Sequence, residues 1–537
     1  MKIIVIFICF LASAASGYAQ LSELWRKSYT QGITSSIRSY TTDNSGNYII
    51  GTAADRSAPN FSDFAVIKFN AEGDTVWRRD FHSRDGFQDH LWDVHADNSG
   101  NIYVTGLSLD YSTETTLRTL KYSSSGVLLW QKTDSLEVKQ QNNGFTIEAF
   151  IGEGPDGSIY VCTNDLGFLH IVKYSPAGTR LFSERIDLPP DVAYMFVRGF
   201  EVNTHGLIIS TEYVDNVNYQ YNIRGVKCNF NGDTLWTWRD NFSNTFWEGA
   251  GALTIDAAGN SYFLSQVMLD FYTSKFALTI LSPAGGVVKT SIYGSGISND
   301  RLIPHDITLD NSGNIIAAAE RSYRNSNNIE NFEGLIVKYS AAGDSLWSKK
   351  IPGSGNVIPY NVQISVDNNI YVAGQYPMAS SSCQFIQKLA PSGDSLWNFN
   401  IQGVNYWQKG KVSNIDNSGN VYLFSERQNG IMITKFGIPI GIQNTGNGVP
   451  ASFSLSQNYP NPFNPVTNIE FSIPKSSIVK LVIYDIQGRI VETIVNNELS
   501  AGTYKADWNA ASYSTGVYFY RMEADGFTET KRMLLIK

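Results

Sequence analysis

The residues best suited to chemistry in this chain are two His/Asp groups and one glutamate. His90 and His95 flank Leu91-Trp92-Asp93-Val94, and His305-Asp306 stands at a comparable place some two hundred residues later. Glu248 follows Trp247 between them. Imidazoles and carboxylates that converge can exchange a proton with substrate or hold a metal ion. The same residue types also line water-filled channels, and because only two groups carry the His/Asp pair, a polar lining with trapped water is the preferred reading.

Two further patterns fail on their surroundings. Gly152-Glu153-Gly154-Pro155-Asp156-Gly157 fits GxGxxG, but the phosphate-binding use requires a strand before it and a helix after it. Here the run enters a β-hairpin. The recurrent Asp-Asn-Ser-Gly-Asn suggests calcium, yet an EF-type loop needs Gly at its sixth position and an acid at its twelfth. Counted from Asp97, Asp310 and Asp416, the twelfth residues are Ser108, Arg321 and Arg427. Turn formation explains the motif better, although a structural calcium elsewhere stays open. No Walker A, HExxH or GxSxG run is present, so the expectation is a protein that is not an enzyme and takes no cofactor.

The element that must position the His/Asp groups is a repeat. Gly334–Lys349 reads as strand, turn and return strand: Ile336-Val337-Lys338-Tyr339, then Ser340 to Asp344, then Leu346-Trp347. The same hairpin recurs at Lys68/Trp77, Lys121/Trp130, Lys173/Phe182, Lys227/Trp236 and Lys388/Trp397. In a degenerate copy Ile280 replaces the lysine. Upstream of each lies a second hairpin whose turn begins at Asp43, Asp97, Asp256, Asp310 or Asp416, or carries Asp156 or Asp367; the copy around Gly206 is worn. Two hairpins per period of about fifty residues make four antiparallel strands, one propeller blade. Eight blades are expected, with seven as the alternative if the worn fourth and fifth merge. Asp93 and Asp306, four residues before their turn aspartates, then fall on the innermost strand.

Closure is also written in the sequence. Leu21–Tyr29 resembles a return strand with Trp25 at the Trp position and no partner before it, while Ile431–Phe436 is a lysine strand with no Trp strand after it. Each supplies what the other lacks, and their pairing removes two open edges. The stretch Asp43–Phe436 resembles the bacterial SBBP-type β-propeller repeat.

The 537 residues carry a formal charge of −8, which offers no field for nucleic acid or an anionic membrane surface. Met1–Ala19 reads as a signal peptide, with Lys2, an apolar run, and Gly17-Tyr18-Ala19 before cleavage between Ala19 and Gln20. No later run reaches the roughly 18 apolar residues of a membrane helix. Cys162, Cys228 and Cys383 are expected as buried thiols.

Residues 437–452 are Gly/Asn/Pro-rich and read as a linker. From 453 to 537, short alternating strands with close turns indicate a small Ig-like β-sandwich. This stretch closely resembles the type A sorting domain of the type IX (Por) secretion system of Bacteroidetes-like bacteria. The matching residues are Tyr459, Pro460, Asn461, Pro462, Phe463, Asn464 and Pro465, with Gly488, Gly502, Gly516, and the tail from Lys531 to Lys537. The resemblance implies handling by the type IX machinery and delivery to the surface or medium. The domains expected are thus signal peptide 1–19, propeller 20–436, linker 437–452 and sorting domain 453–537. Gaps between repeat markers vary little, so no blade carries the long insertion a catalytic loop would need. A binding protein for an unknown glycan or protein ligand is expected, with a hydrolase or lyase at the channel mouth as the alternative.

Overall fold

A computed structural model describes residues 22–30, 32–55, 62–83, 87–110, 115–136, 147–165, 168–187, 189–217, 220–240, 247–324, 330–351, 357–376, 382–404, 413–416, 420–427, 430–437, 442–446, 450–499, 501–510 and 513–536. The signal segment, Ala19, Gln20 and Lys537 lie outside them. Every element among the described residues is a β-strand, and no helix is long and apolar enough to cross a membrane. The chain divides into two compact units, Trp25–Thr434 and the C-terminal stretch Lys435–Lys537, the latter grouped with Met1–Leu24.

The first unit is a β-propeller. Eight four-stranded sheets occur among its described residues, seven of them in the sequential order of a meander. Their first strands are Ile33–Thr42, Phe87–Ala96, Ala149–Glu153, Val192–Asn203, Trp247–Ile255, Asp300–Leu309, Ile358–Ile364 and Ser413–Ile415. From sheet one to sheet eight each first strand lies beside the next, so these strands surround the axis. The worn fourth and fifth repeats form separate sheets. In the fourth, the turn shortens to two residues between Asn203 and Gly206, whose φ of 122° suits glycine. The run Gly152–Gly157 is a hairpin turn between Ala149–Glu153 and Ile159–Asp165.

Sheet eight joins the two ends of the unit. Its strands Val421–Arg427 and Gly430–Gly437 are followed in the sheet by Ser22–Tyr29 from the start of the chain. Sheets one and eight then share a core of Ile37, Tyr40, Tyr48, Tyr422, Phe424 and Ile433, with the Tyr48 and Tyr422 rings 4.1 Å apart and tilted by 39°. The ring is closed.

The repeated Lys and Trp have one physical cause. In three of the repeats both donate to the same backbone carbonyl on the turn of the next sheet. Lys68 Nζ and Trp77 Nε1 meet the Ser124 oxygen at 3.1 and 3.0 Å. Lys121 and Trp130 meet that of Pro176 at 3.1 and 3.2 Å, and Lys227 and Trp236 that of Pro283 at 3.2 and 3.0 Å. The same ammonium pairs with the turn aspartate of its own sheet: Lys68–Asp43 at 2.7 Å and Lys338–Asp310 at 2.8 Å, all nearly buried. Asp43 Oδ1 also accepts the N–H groups of Ser45 and Asn47 at 2.9 and 3.0 Å. A lysine ammonium thus balances the charge that suggested calcium. Where Ile280 replaces lysine, Asp256 accepts from Asn260 Nδ2 and the Tyr262 hydroxyl at 2.7 and 2.9 Å.

Cys162, Cys228 and Cys383 are buried free thiols, and burial pushes Cys228 up to about 11.

The second unit is a sandwich of two four-stranded sheets. One holds Ser454–Leu455, Val466–Ile473 and Gly502–Asn509; the other Ser477–Tyr484, Ile490–Leu499, Gly516–Ala524 and Phe527–Leu535. Ile469, Phe471, Leu481, Ile483, Trp508, Tyr520 and Met522 fill its core. The expected linker is not all connector. Ile442–Gly446 is the fourth strand of the first sheet and pairs with Gly502–Asn509, Ile442 opposite Ala506. Addition to a sheet edge uses backbone hydrogen bonds, which need no apolar periodicity, so this strand left no pattern to read.

Candidate binding face and sorting domain

The first strand carries a β-bulge at one recurrent place. The register slips at Ile37/Ser39, Leu91/Asp93, Val197/Gly199, Ala250/Ala252, Pro304/Asp306 and Pro359/Asn361. Asp93 and Asp306 follow that bulge, and each carboxylate reaches the inner strand of the next sheet. Asp93 Oδ2 accepts from Ile151 N at 3.1 Å, and Asp306 Oδ2 from Val362 N at 2.9 Å. Ser39 donates to Asp93 at 2.6 Å, and Asn361 Nδ2 to Asp306 at 2.9 Å. Both aspartates therefore join sheets through backbone groups that would otherwise lack partners.

The expected site residues are spread over several sheets, and each has partners of its own. Asp93 is in sheet two and Asp306 in sheet six, with three sheets between them either way round. His305, the residue added by the bulge, faces Glu320 at 3.2 Å and abuts Tyr360. His90 contacts Gln88 Oε1 at 3.2 Å, and burial, aided by Arg38, lowers its proton affinity. His95 meets Glu153 of sheet three at 3.1 Å. Glu248 pairs through its backbone with Val267, its side chain being outside the described set. Glu426 of sheet eight was missed in the sequence. It accepts Ile37 N of sheet one at 2.8 Å, and burial pushes its carboxyl up to about 7 against the pull of that N–H and of Arg38.

Where sheets five and six meet, a cavity of about 420 Å³ opens, lined by charged and aromatic groups that sequence reasoning did not single out. Arg321 is held by Asp300 at 2.7 Å and stands 3.7 Å from Glu333, which also takes Lys350 at 2.8 Å. The Asp300 hydrogen bond keeps the guanidinium charged. Among the described residues, Glu333 Oε2 accepts no hydrogen bond. Tyr293 forms a wall, stacked on Phe276 at 5.1 Å. Beside the rim, Gly296 lies against Leu269, which leads into the turn bearing Phe271 and Tyr272, 65% and 60% exposed. The combination offers hydrogen-bond partners of both charges in a recess with an aromatic wall, suited to a polar ligand having some flat apolar surface.

In the sandwich, Tyr459–Pro465 is an ordered brace. Phe463 is buried against Trp508, with ring centroids 5.5 Å apart. Its N–H donates to Leu534 O, and its carbonyl accepts from Ile536 N, both at 3.0 Å. Asn461 Oδ1 accepts from Leu534 N at 2.9 Å. The peptides before Pro460 and Pro462 are cis, Pro465 O accepts from Ala510 N at 2.8 Å, and Tyr459 and Asn464 are exposed. Gly488, at φ 78°, closes a turn whose Asp485 accepts from Gln487 N and Arg489 N, both at 2.9 Å. Gly502 pairs with Ile473, Gly516 with Leu535, and Lys531 meets Glu529 at 3.0 Å.

No curated protein matches this chain. Among solved structures, it is similar to PorZ, an essential bacterial surface component of the type-IX secretion system of Porphyromonas gingivalis. The two share 12% identity over 93% of this chain and 74% of that one, with TM-score 0.36. The WD40 domain of SCAP from fission yeast is another, at 9% identity, 78% and 98% coverage and TM-score 0.43. Residues 457–537 match the family described as the secretion system C-terminal sorting domain, so the β-propeller is accompanied in one chain by a type IX sorting domain, which directs export to the cell surface or medium.

Proposed function

We propose that this protein is an exported, non-catalytic binding propeller whose ligand is a glycan held between sheets five and six. The observation that carries this reading is the cavity of Asp300, Arg321 and Glu333 walled by Tyr293, with Phe271 and Tyr272 exposed on the turn of sheet five. Carboxylates and a guanidinium hydrogen-bond hydroxyl groups, while aromatic rings stack on the apolar face of a sugar. On this reading the unit has eight SBBP-type blades, the sorting domain is of type A, and an N-terminal signal peptide delivers the chain to the periplasm in a Bacteroidetes-like cell.

The test is a glycan array probed with the full chain, followed by calorimetry on the hits. Phe271→Ala with Tyr272→Ala, and separately Glu333→Gln, should each weaken binding at least tenfold without altering the fold. Unchanged binding in both variants rejects this face as the ligand site. Binding to a peptide array and to no glycan would replace the ligand class.

A further inference from the structure

Sheets one and two bring together three side chains that lie apart in sequence and belong to no repeat signature. Asp63 is on the strand Ser62–Phe69, His82 just follows Thr75–Phe81, and Asp89 is on Phe87–Ala96. One ligand atom from each lies within 4.8 Å of the others. His82 Nδ1 is 3.2 Å from Asp63 Oδ1 and 3.8 Å from Asp89 Oδ2. Neighbouring donors around a first-row ion with bonds of about 2.1 Å stand roughly 3 to 3.5 Å apart, so a small inward shift would seat an ion.

The surroundings are those of a held ligand set. Asp89 is fully buried. Ser108 Oγ donates to its Oδ1 and Ser83 N to its Oδ2 at 2.8 Å, and Arg118 Nε donates to Ser108 Oγ at 3.1 Å. Such outer contacts fix a carboxylate that would otherwise rotate. His82 is 30% exposed, whereas Asp89 is sealed from solvent.

We propose that Asp63, His82 and Asp89 form a site for a divalent first-row transition ion, zinc being the first to test, which clamps sheet one to sheet two. One imidazole and two carboxylates suit zinc or manganese better than calcium, which prefers an all-oxygen shell.

The experiment uses the full chain purified without a histidine tag and stripped with chelator. Titration with Zn²⁺ should saturate at one ion per chain and raise Tm by a few degrees. Co²⁺ should produce visible d–d bands. His82→Gln should weaken Zn²⁺ binding at least tenfold and remove the bands, whereas His305→Gln should bind as the wild type does. Asp89→Asn should abolish binding; if that buried change prevents folding, His82→Gln, at a partly exposed position, still decides. Absence of saturable binding overturns the proposal, as does binding unchanged by His82→Gln.

Discussion

The indole of Trp25 stands over Gly73 as that of Trp77 stands over Gly126. A methyl group at Gly73 would come 2.5 Å from Trp25 Cη2, and one at Gly126 would come 2.8 Å from Trp77 Cδ2. Trp25 sits in sheet eight, whose other three strands come from the end of the unit, yet it makes on sheet one the contact that consecutive repeats make.

Closure through Trp25 should be measurable. Trp25→Ala removes the indole from a shared core and should cost about 3 kcal/mol in denaturant unfolding. Gly73→Ala adds both that clash and strain at φ 77°, and should also destabilise. A Trp25 variant as stable as wild type would mean that sheet eight does not depend on the N-terminal strand.

The buried Lys–Asp pairs should dominate acid behaviour. Burial alone would raise Asp310, but Lys338 and Asn314 outweigh it and hold the carboxyl below its usual value. A lowered acid contributes stability that is present above about pH 4 and lost as pH falls through the folded value. Lys338→Met leaves that carboxylate buried without its cation and should cost about 3 kcal/mol at pH 7. Denaturant titrations at pH 7 and pH 3 should find the gap between variant and wild type narrowing in acid.

Glu426 should act in the opposite sense. Its carboxyl is raised from 4.5 to about 7, so its contribution is full below pH 4.5 and is lost as pH rises through 7. Glu426→Gln keeps an acceptor for Ile37 N–H and fixes the neutral state. The variant should exceed wild type by about 2 kcal/mol at pH 8 and match it near pH 4.5. Equal pH profiles for the two proteins would refute the assignment.

Much of the architecture was legible because one acceptor selects two residues at once. A turn carbonyl that takes both an ammonium and an indole N–H imposes Lys and Trp at a fixed separation, as at Lys121/Trp130 and Pro176 O. His90, Asp93, His305 and Asp306 were readable as inner-strand residues, but similarity of position carries no information about distance around a ring. Arg321 and Glu333 become neighbours only through pairing of adjacent strands and were not singled out. Asp63, His82 and Asp89 meet only after two sheets pack, and Glu426 reaches a partner 389 residues away. The edge strand Ile442–Gly446 was hidden because pairing along a sheet edge runs through the backbone and imposes no residue pattern.

The most direct test of the whole account is where the propeller goes without its label. Because Ile442–Gly446 belongs to the sandwich, truncation should follow Gly437, removing 438–537 and leaving the closed ring intact. Fractionation of a type IX-competent host, probed with an antibody to the propeller, should find the full chain at the surface or in the medium. The truncated chain should accumulate as a folded, soluble protein in the periplasm, and 437–537 fused behind a signal peptide and a fluorescent cargo should carry that cargo out. Truncated propeller outside the cell in normal amounts would contradict the role assigned to residues 457–537.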